Sequence, residues 1–279
     1  MMVYLNGQFL AAAEATISAL DRGFLYGDGL FETVRVSRGR AFLAAEHLKR
    51  LRSGAAFLGI EPIPTDAELA MVWTELIRLN GVEEGVLRVT VSRGPGPRGY
   101  SPRGAGPATL LVTVHPLAVE RGARPCWRVV TSTKVRGTGP RILCRFKTCN
   151  RLPQVLARAE AEAAGADEAL ILDERGCVVE GSSANVFWVM DGVLWSPGPE
   201  QGALDGVTRR WVMGHCRSRG WAVREGTAPV EEVRRAEGMF LTLSTLGVVE
   251  VREWDGRSLP VWPGVAELQG AFERALAEV

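Results

Sequence analysis

The sequence predicts an α+β fold in two domains, on three observations. Stretches with two-residue alternation and stretches with helical spacing follow one another along the whole chain. With 46% hydrophobic and 23% charged residues over 279 positions, the chain can bury a core that offsets its conformational entropy. The pattern also changes after His115-Pro116, which divides the sequence into a domain over 1–115, a linker over 116–126 and a domain over 127–279. No internal repeat is present.

In the first domain, Met2 to Phe9 and Leu30 to Val36 read as strands. Ala45 to Leu58 reads as a helix, with Leu48, Leu51, Ala55 and Leu58 on one face. Thr65 with Glu68 three residues on has the form of a capping box and opens a second helix. That helix turns Leu69, Val72, Leu76 and Leu79 inward and ends at Asn80-Gly81. Val86 to Ser92 and Ala108 to His115 are neighbouring strands. Between them runs Gly94 to Pro107, rich in Gly, Pro and Arg, a loop long enough to be functional or disordered.

In the second domain, Trp127 to Ser132 is a strand, and Leu152 to Ala164 is a helix that takes Pro153 in its first turn. Ala169 to Asp173 and Val178 to Glu180 flank a turn, as do Ala184 to Met190 and Val193 to Trp195 around Asp191-Gly192. A helix over Val207 to Arg219 and strands over Trp221 to Arg224, Met239 to Ser244 and Val248 to Arg252 follow. A helix over Val265 to Ala277 completes the chain.

Composition excludes several functions. With 33 basic against 32 acidic residues, the chain has no broad field to attract nucleic acid or a membrane surface, so any anion is bound locally. The longest apolar run, Ala108 to Val114, is strand-sized, far short of the roughly 18 residues of a membrane helix. The start of the chain lacks the pattern of a secretory signal. Five cysteines without a Cys-x-x-Cys pair argue against a disulfide framework or a zinc site and fit a reducing cytoplasm. Three histidines far apart, at 47, 115 and 215, argue against a His-rich metal site.

Only three of the 33 basic residues are lysines, Lys49, Lys134 and Lys147, so an amine nucleophile has three candidates. Lys147, placed just before a helix, becomes nucleophilic if it is buried near other cations. Gly206-Val207-Thr208-Arg209 runs from a loop into a helix, where backbone N–H groups and the positive dipole end suit a phosphate. Ser92 to Tyr100 offers Arg93 and Arg98, whose forks match carboxylates. Glu180, at a strand end, could pair with a protonated ring nitrogen. Taken singly, each of these is also an ordinary surface charge or helix start, as is Arg50. An anion cradle, a lysine and an acid are compatible with pyridoxal 5′-phosphate (PLP) without singling it out.

Together the motifs resemble the fold-type IV PLP enzymes, the class IV aminotransferase family. They begin with Asp21-Arg22-Gly23-Phe24-Leu25-Tyr26-Gly27-Asp28-Gly29-Leu30-Phe31-Glu32 and Glu46-His47-Leu48-Lys49-Arg50-Leu51. Lys147-Thr148-Cys149-Asn150-Arg151-Leu152, Asp167-Glu168-Ala169, Glu180-Gly181 with Asn185, and Gly206-Val207-Thr208-Arg209 follow in the family's order. The resemblance implies a small N-terminal α/β sandwich domain and a larger C-terminal domain with a barrel-like sheet. It implies that Lys147 carries PLP and that Glu180 contacts the pyridine nitrogen. Arg50, Val207 and Thr208 would hold the phosphate, with Ser244 or Thr245 nearby and Asn150 also at the cofactor. A homodimer is implied as well.

Within the family, the loop Ser92-Arg93-Gly94-x-Gly96-x-Arg98-Gly99-Tyr100 and the segment from Lys147 to Leu152 are most similar to those of aminodeoxychorismate lyases. Branched-chain aminotransferases usually carry a tyrosine soon after the lysine, where this chain has Arg151-Leu152. The likeness implies release of 4-aminobenzoate and pyruvate, with Arg98, Tyr100 and Tyr26 on the substrate. Leu243-Ser244-Thr245-Leu246-Gly247 is nearer the transaminases, so a transaminase of D- or branched-chain amino acids is the alternative. A non-catalytic PLP-binding protein is a third reading, against which the joint presence of Lys147, Glu180 and Arg50 counts.

Overall fold

Among the described residues, strands outnumber helices in both of the units into which the chain divides. The computed structural model describes residues 1–118, 124–137 and 139–279, so positions 119–123 of the expected linker lie outside the described residues. One unit gathers Met1–Glu120, Phe146–Asn150 and Leu276–Val279, and the other Arg121–Arg145 and Arg151–Ala275. The lysine-bearing segment therefore groups with the first unit, although the chain around it belongs to the second.

The first unit runs β1 (Met2–Leu5), β2 (Gln8–Ala11), α1 (Arg22–Tyr26), β3 (Gly29–Ser37), β4 (Arg40–Ala41), α2 (Ala44–Leu58), α3 (Asp66–Asn80), β5 (Gly85–Ser92) and β6 (Thr109–Pro116). Its strands form an antiparallel sheet in the order β2-β1-β6-β5-β3-β4. Leu48, Leu51 and Ala55 of α2 and Leu69, Trp73 and Leu76 of α3 bury against Val34, Leu87, Val89 and Val112 of the sheet. The capping box is present: the Thr65 hydroxyl accepts from the Glu68 N–H, and the Glu68 carboxylate accepts from the Thr65 N–H at 2.7 Å.

Three expectations are corrected in this unit. Met2 to Phe9 is not one strand: Asn6 and Gly7 take positive φ values of 47° and 96° and turn the chain back as a hairpin. Asn-Gly suits this turn because Gly carries no Cβ and Asn tolerates the left-handed region. Leu79 lies 38% exposed, since the inward stripe of α3 passes through Leu76 and Ile77 instead. The short helix α1 lies in a stretch for which the sequence predicts no element. Asp21 caps it, accepting from the Gly23 N–H at 2.7 Å.

The second unit runs β7 (Cys126–Arg136), α4 (Arg141–Cys144), α5 (Leu152–Ala163), β8 (Glu168–Leu172), β9 (Val178–Gly181), β10 (Asn185–Met190) and β11 (Val193–Ser196). It continues with α6 (Val207–Ser218), β12 (Val223–Glu225), α7 (Val230–Val233), β13 (Gly238–Leu243), β14 (Gly247–Trp254), β15 (Arg257–Ser258) and α8 (Gly264–Ala277). The mixed sheet has the order β12-β11-β10-β13-β14-β7-β8-β9, with β15 added to β14. Alternation along β10 and β13 divides its faces. Val186, Trp188, Met239 and Leu241 enter one apolar cluster, while Phe187, Val189 and Phe240 pack with Val212 and Met213 of α6 and Leu268 of α8. The sheet is thus apolar on both sides, and the expected α+β class of the fold-type IV enzymes is borne out.

β7 runs four residues beyond its expected end at Ser132. Its pairing with β8 jumps from Thr131–Leu170 to Arg136–Leu172, and the carboxylate of Glu160 on α5 gathers the displaced backbone. Glu160 accepts from the hydroxyls of Ser132 and Thr133 and from the Thr133 and Lys134 N–H groups. Strand Met239 to Ser244 ends one residue early, leaving Ser244 in the turn to β14.

Candidate active site

In the first unit, Phe146–Asn150 lies along the start of β3 like an added strand. The Phe31 N–H donates to the Lys147 carbonyl at 2.8 Å, and the Cys149 N–H donates to the Gly29 carbonyl at 2.9 Å. These bonds fix the half-buried Lys147 by its backbone and set its amine 4.7 Å from the centre of the Phe31 ring. The guanidinium of Arg88 on β5 lies 4.0 Å from the centre of the same ring. A second cation therefore shares the aromatic ring that receives the lysine. Successive residues of a strand point to opposite faces, so Glu32 turns away from this pair toward α2.

There Glu32 organises Arg50. The Glu32 carboxylate accepts from Arg50 Nε at 2.8 Å and Nη2 at 2.6 Å, and lies 2.7 Å from His47 Nδ1. All three side chains are buried. Burial pushes the Glu32 carboxyl up, but the Arg50 charge and the hydrogen bonds from Arg50 and His47 outweigh it and hold the group at about 2. Burial lowers the His47 pKa against the opposite pull of Glu32, and the Arg50 and Lys147 charges lower it further.

The Asn150 amide donates to the Gly27 carbonyl at 3.0 Å. A Cβ on Gly27 would stand 2.6 Å from the Asn150 side-chain oxygen, so this latch requires glycine at 27, where φ is +66°. The Tyr26 hydroxyl accepts the Gly99 N–H at 3.0 Å, and its ring meets that of Tyr100 edge-on. Arg98 is exposed and Tyr100 is 88% exposed on their loop. Arg93 is no free arm: Asp28 and the carbonyls of Leu58 and Gly59 hold it.

In the second unit, Glu180 is buried on β9 and accepts the Leu204 N–H at 2.7 Å. Asn185 on β10 donates to the Leu204 carbonyl at 2.8 Å. The two side chains thus grip both polar groups of one residue and steer the chain into α6. Gly206 caps α6 without any side-chain acceptor, and Val207 and Thr208 behind it are buried. A Cβ on Gly206 would fall 1.9 Å from the Asn185 oxygen. Thr242 pairs with Asn185 across the sheet and keeps a buried hydroxyl with no hydrogen-bond partner among the described residues, and Ser244 and Thr245 follow it in the turn.

Glu168 supports this arrangement from behind. Fully buried, its carboxylate accepts from the N–H and hydroxyl groups of both Ser182 and Ser183. It thereby fixes the turn between Glu180 and Asn185. The sequence marks Glu168 only as part of a motif, and points to no role for Phe31, Glu32 and His47. Nor does it single out Arg88, because a charged residue on the polar face of an alternating strand is ordinarily a solvated one.

Within the second unit, the residues around α6 fit the anionic end of a cofactor. The start of α6 has no side-chain cap, so its backbone N–H groups suit an anion, and Thr242, which pairs with Asn185, has a buried hydroxyl without a partner among the described residues.

Residues 29–254 match the Amino-transferase class IV family. The chain is 36% identical to a putative branched-chain-amino-acid aminotransferase of Methanocaldococcus jannaschii over 92% of its length and 89% of that protein's. It is 31% identical to a D-alanine aminotransferase of Bacillus licheniformis (93% and 90% covered) and 30% identical to an aminodeoxychorismate lyase of Bacillus subtilis (89% and 85%). Among solved structures it is similar to a T.th. branched-chain amino acid aminotransferase with pyridoxamine 5′-phosphate, with a TM-score of 0.91 at 30% identity, covering 99% and 94%. A putative 4-amino-4-deoxychorismate lyase from Legionella pneumophila gives a TM-score of 0.87 at 27% identity, covering 95% and 97%.

Proposed function

The chain belongs to the class IV aminotransferase family, whose members use PLP, and on that premise we propose that it is a 4-amino-4-deoxychorismate lyase. The observation that carries this reading is the loop from Ser92 to Tyr100 with its Arg-Gly-x-Gly-x-Arg-Gly-Tyr pattern, supported by the lyase among the curated relatives. When bound, PLP supplies an electron sink for the bond broken at the amine-bearing carbon.

Lys147 would hold the cofactor, and its amine is the group placed to move protons at the substrate. Its neutral amine then removes the ring proton from the amine-bearing carbon. The carbon–oxygen bond to the enolpyruvyl group breaks, the Lys147 ammonium returns a proton to the departing group, and the ring becomes aromatic. Glu180 would pair with the pyridine nitrogen of the cofactor and favour its protonated form. Arg50, the N–H groups of Val207 and Thr208, and Ser244 would bind the phosphate, and Asn150 fixes the segment that bears the lysine. Arg98 anchors a substrate carboxylate, with Tyr100 and Tyr26 beside it. The working form is a homodimer, a reading supported by the exposed Phe24 and Tyr100, and its compartment is the cytoplasm, which the five cysteines without a Cys-x-x-Cys pair fit.

Incubation with aminodeoxychorismate should release 4-aminobenzoate and pyruvate in equal amounts. Absence of both products, with rapid amino exchange between an amino acid and 2-oxoglutarate, would overturn the lyase reading. That outcome would favour a transaminase of D- or branched-chain amino acids, which the 36% and 31% identical relatives and the Ser244-Thr245 segment support. Lys147→Ala should abolish turnover and the yellow absorbance of the loaded protein under either reading.

A further inference from the structure

Arg22 grips the tip of the loop by three successive carbonyls. It is buried, and its Nη1 donates to the carbonyls of Gly99 and Ser101 at 2.9 and 3.1 Å. Its Nη2 donates to the carbonyl of Tyr100 at 3.1 Å, and its Nε donates to Asp28 at 2.8 Å. The guanidinium also lies 5.0 Å from the centre of the Tyr26 ring. We propose that Arg22 is a positioning residue that sets substrate specificity by fixing the loop tip that presents Arg98 and Tyr100.

The neck of the loop explains why one residue can do this. Pro95 bridges to Asp21, the Arg22 N–H donates to the Gly94 carbonyl, and the Gly106 N–H donates to the Pro95 carbonyl. A Cβ on Gly94 would fall 1.9 Å from the Pro107 carbonyl oxygen, so the two sides of the neck touch backbone to backbone. Between neck and tip, residues 97–103 form no regular secondary structure. They are held by Arg22, by the bond between the Gly99 N–H and Tyr26, by the Tyr26–Tyr100 ring contact and by the Ser101 hydroxyl, which accepts from the Arg103 N–H. Asp28 anchors the clamp, because the same carboxylate oxygen accepts from Arg22 Nε and Arg93 Nε, each at 2.8 Å. Burial raises the Asp28 pKa, but its two arginine partners more than compensate and keep it ionised.

A planar fork is needed for this grip. Three carbonyls in sequence and a carboxylate surround one guanidinium, whereas the point charge of a lysine can address only part of the set. The clamp orients Arg98 and Tyr100 without itself touching substrate. It therefore acts on substrate binding rather than on proton transfer at Lys147. The inference rests on the proposed substrate role of that loop, but its structural half can be tested apart from any activity.

Hydrogen exchange read by mass spectrometry on the PLP-loaded protein, with Arg22→Gln and Arg22→Lys, tests the clamp directly. Both variants should exchange faster by about tenfold or more at residues 97–103, while β5 and β6 keep their protection. Exchange unchanged in that loop would overturn the proposal, as would full rescue by lysine, which would mean that charge alone suffices. If Arg22→Gln also exposes β5 and β6, Arg22→Lys decides. In steady-state assays with aminodeoxychorismate, both variants should raise KM by about tenfold with kcat within about threefold. An equal fall in kcat with KM unchanged would sink the specificity role. A wild-type protein without lyase activity but with the predicted exchange pattern would reject the lyase reading and leave the clamp standing.

Discussion

A carboxylate closed off from water survives as an ion only among partners, and Glu32 has both Arg50 and His47. Removing it leaves a buried guanidinium without its counter-ion, so Glu32→Ala should cost about 3–5 kcal/mol in urea unfolding. Its folded pKa of about 2 lies below the ordinary 4.5, so the pair stabilises the protein above about pH 4.5. That contribution should fade as pH falls from there through about 2, and Glu32→Gln should flatten the acid limb of the stability profile. His47 acts in the same sense from a higher pH: burial lowers its pKa below 6.5, so protonation below that value disfavours the folded state. A stability curve flat from about pH 7 to about pH 3 would contradict both assignments.

At the scale of elements, the approach to α6 depends on how closely Gly206 and Asn185 fit together. The Gly206 backbone, at φ −69°, is open to any residue, so the requirement for glycine is one of space. Gly206→Ala should push the Asn185 amide off the Leu204 carbonyl and shift the first turn of α6. Reconstitution of the cofactor-free protein should then need about tenfold more PLP, measured by absorbance titration, with a loss of stability of about 1–3 kcal/mol. Unchanged PLP affinity would separate the start of α6 from the phosphate. The irregular stretch of β7 makes a parallel case. Burial raises the Glu160 pKa, but hydrogen bonds from Ser132, Thr133 and Lys134 bring it down to about 2. Glu160→Ala should loosen residues 132–135 selectively in hydrogen exchange, leaving β13 and β14 unchanged.

At the scale of the whole molecule, exposed apolar side chains gather near the loop, where a second copy of the chain would cover them. Phe24 is 80% exposed and Tyr100 88%, joined by Leu25 on α1 and Leu20 just before it. In sedimentation the protein should run at twice its chain mass, and Phe24→Asp should shift it toward the single chain at micromolar concentration. A wild-type protein that sediments as a monomer would remove the dimer from the proposed function.

Legibility from sequence followed a simple physical division. Local rules act over a few residues, so the capping box at Thr65, the long helices and the alternating strands could be read directly. The Asn6-Gly7 hairpin was equally local, and the signal was present in the dipeptide. The motif order also carried the family and its cofactor. Partners brought together by folding left no such trace: Arg22 and the carbonyls of residues 99–101 are more than seventy positions apart. Glu168 and the hydroxyls it gathers, and Arg88 and Lys147 over one ring, are nearer in sequence but likewise meet only through folding. Residue types and their spacing determined which chemical groups this protein has. Only the tertiary structure decided which of them are buried, paired and held still, because burial and pairing depend on distances that the covalent order of the chain does not fix.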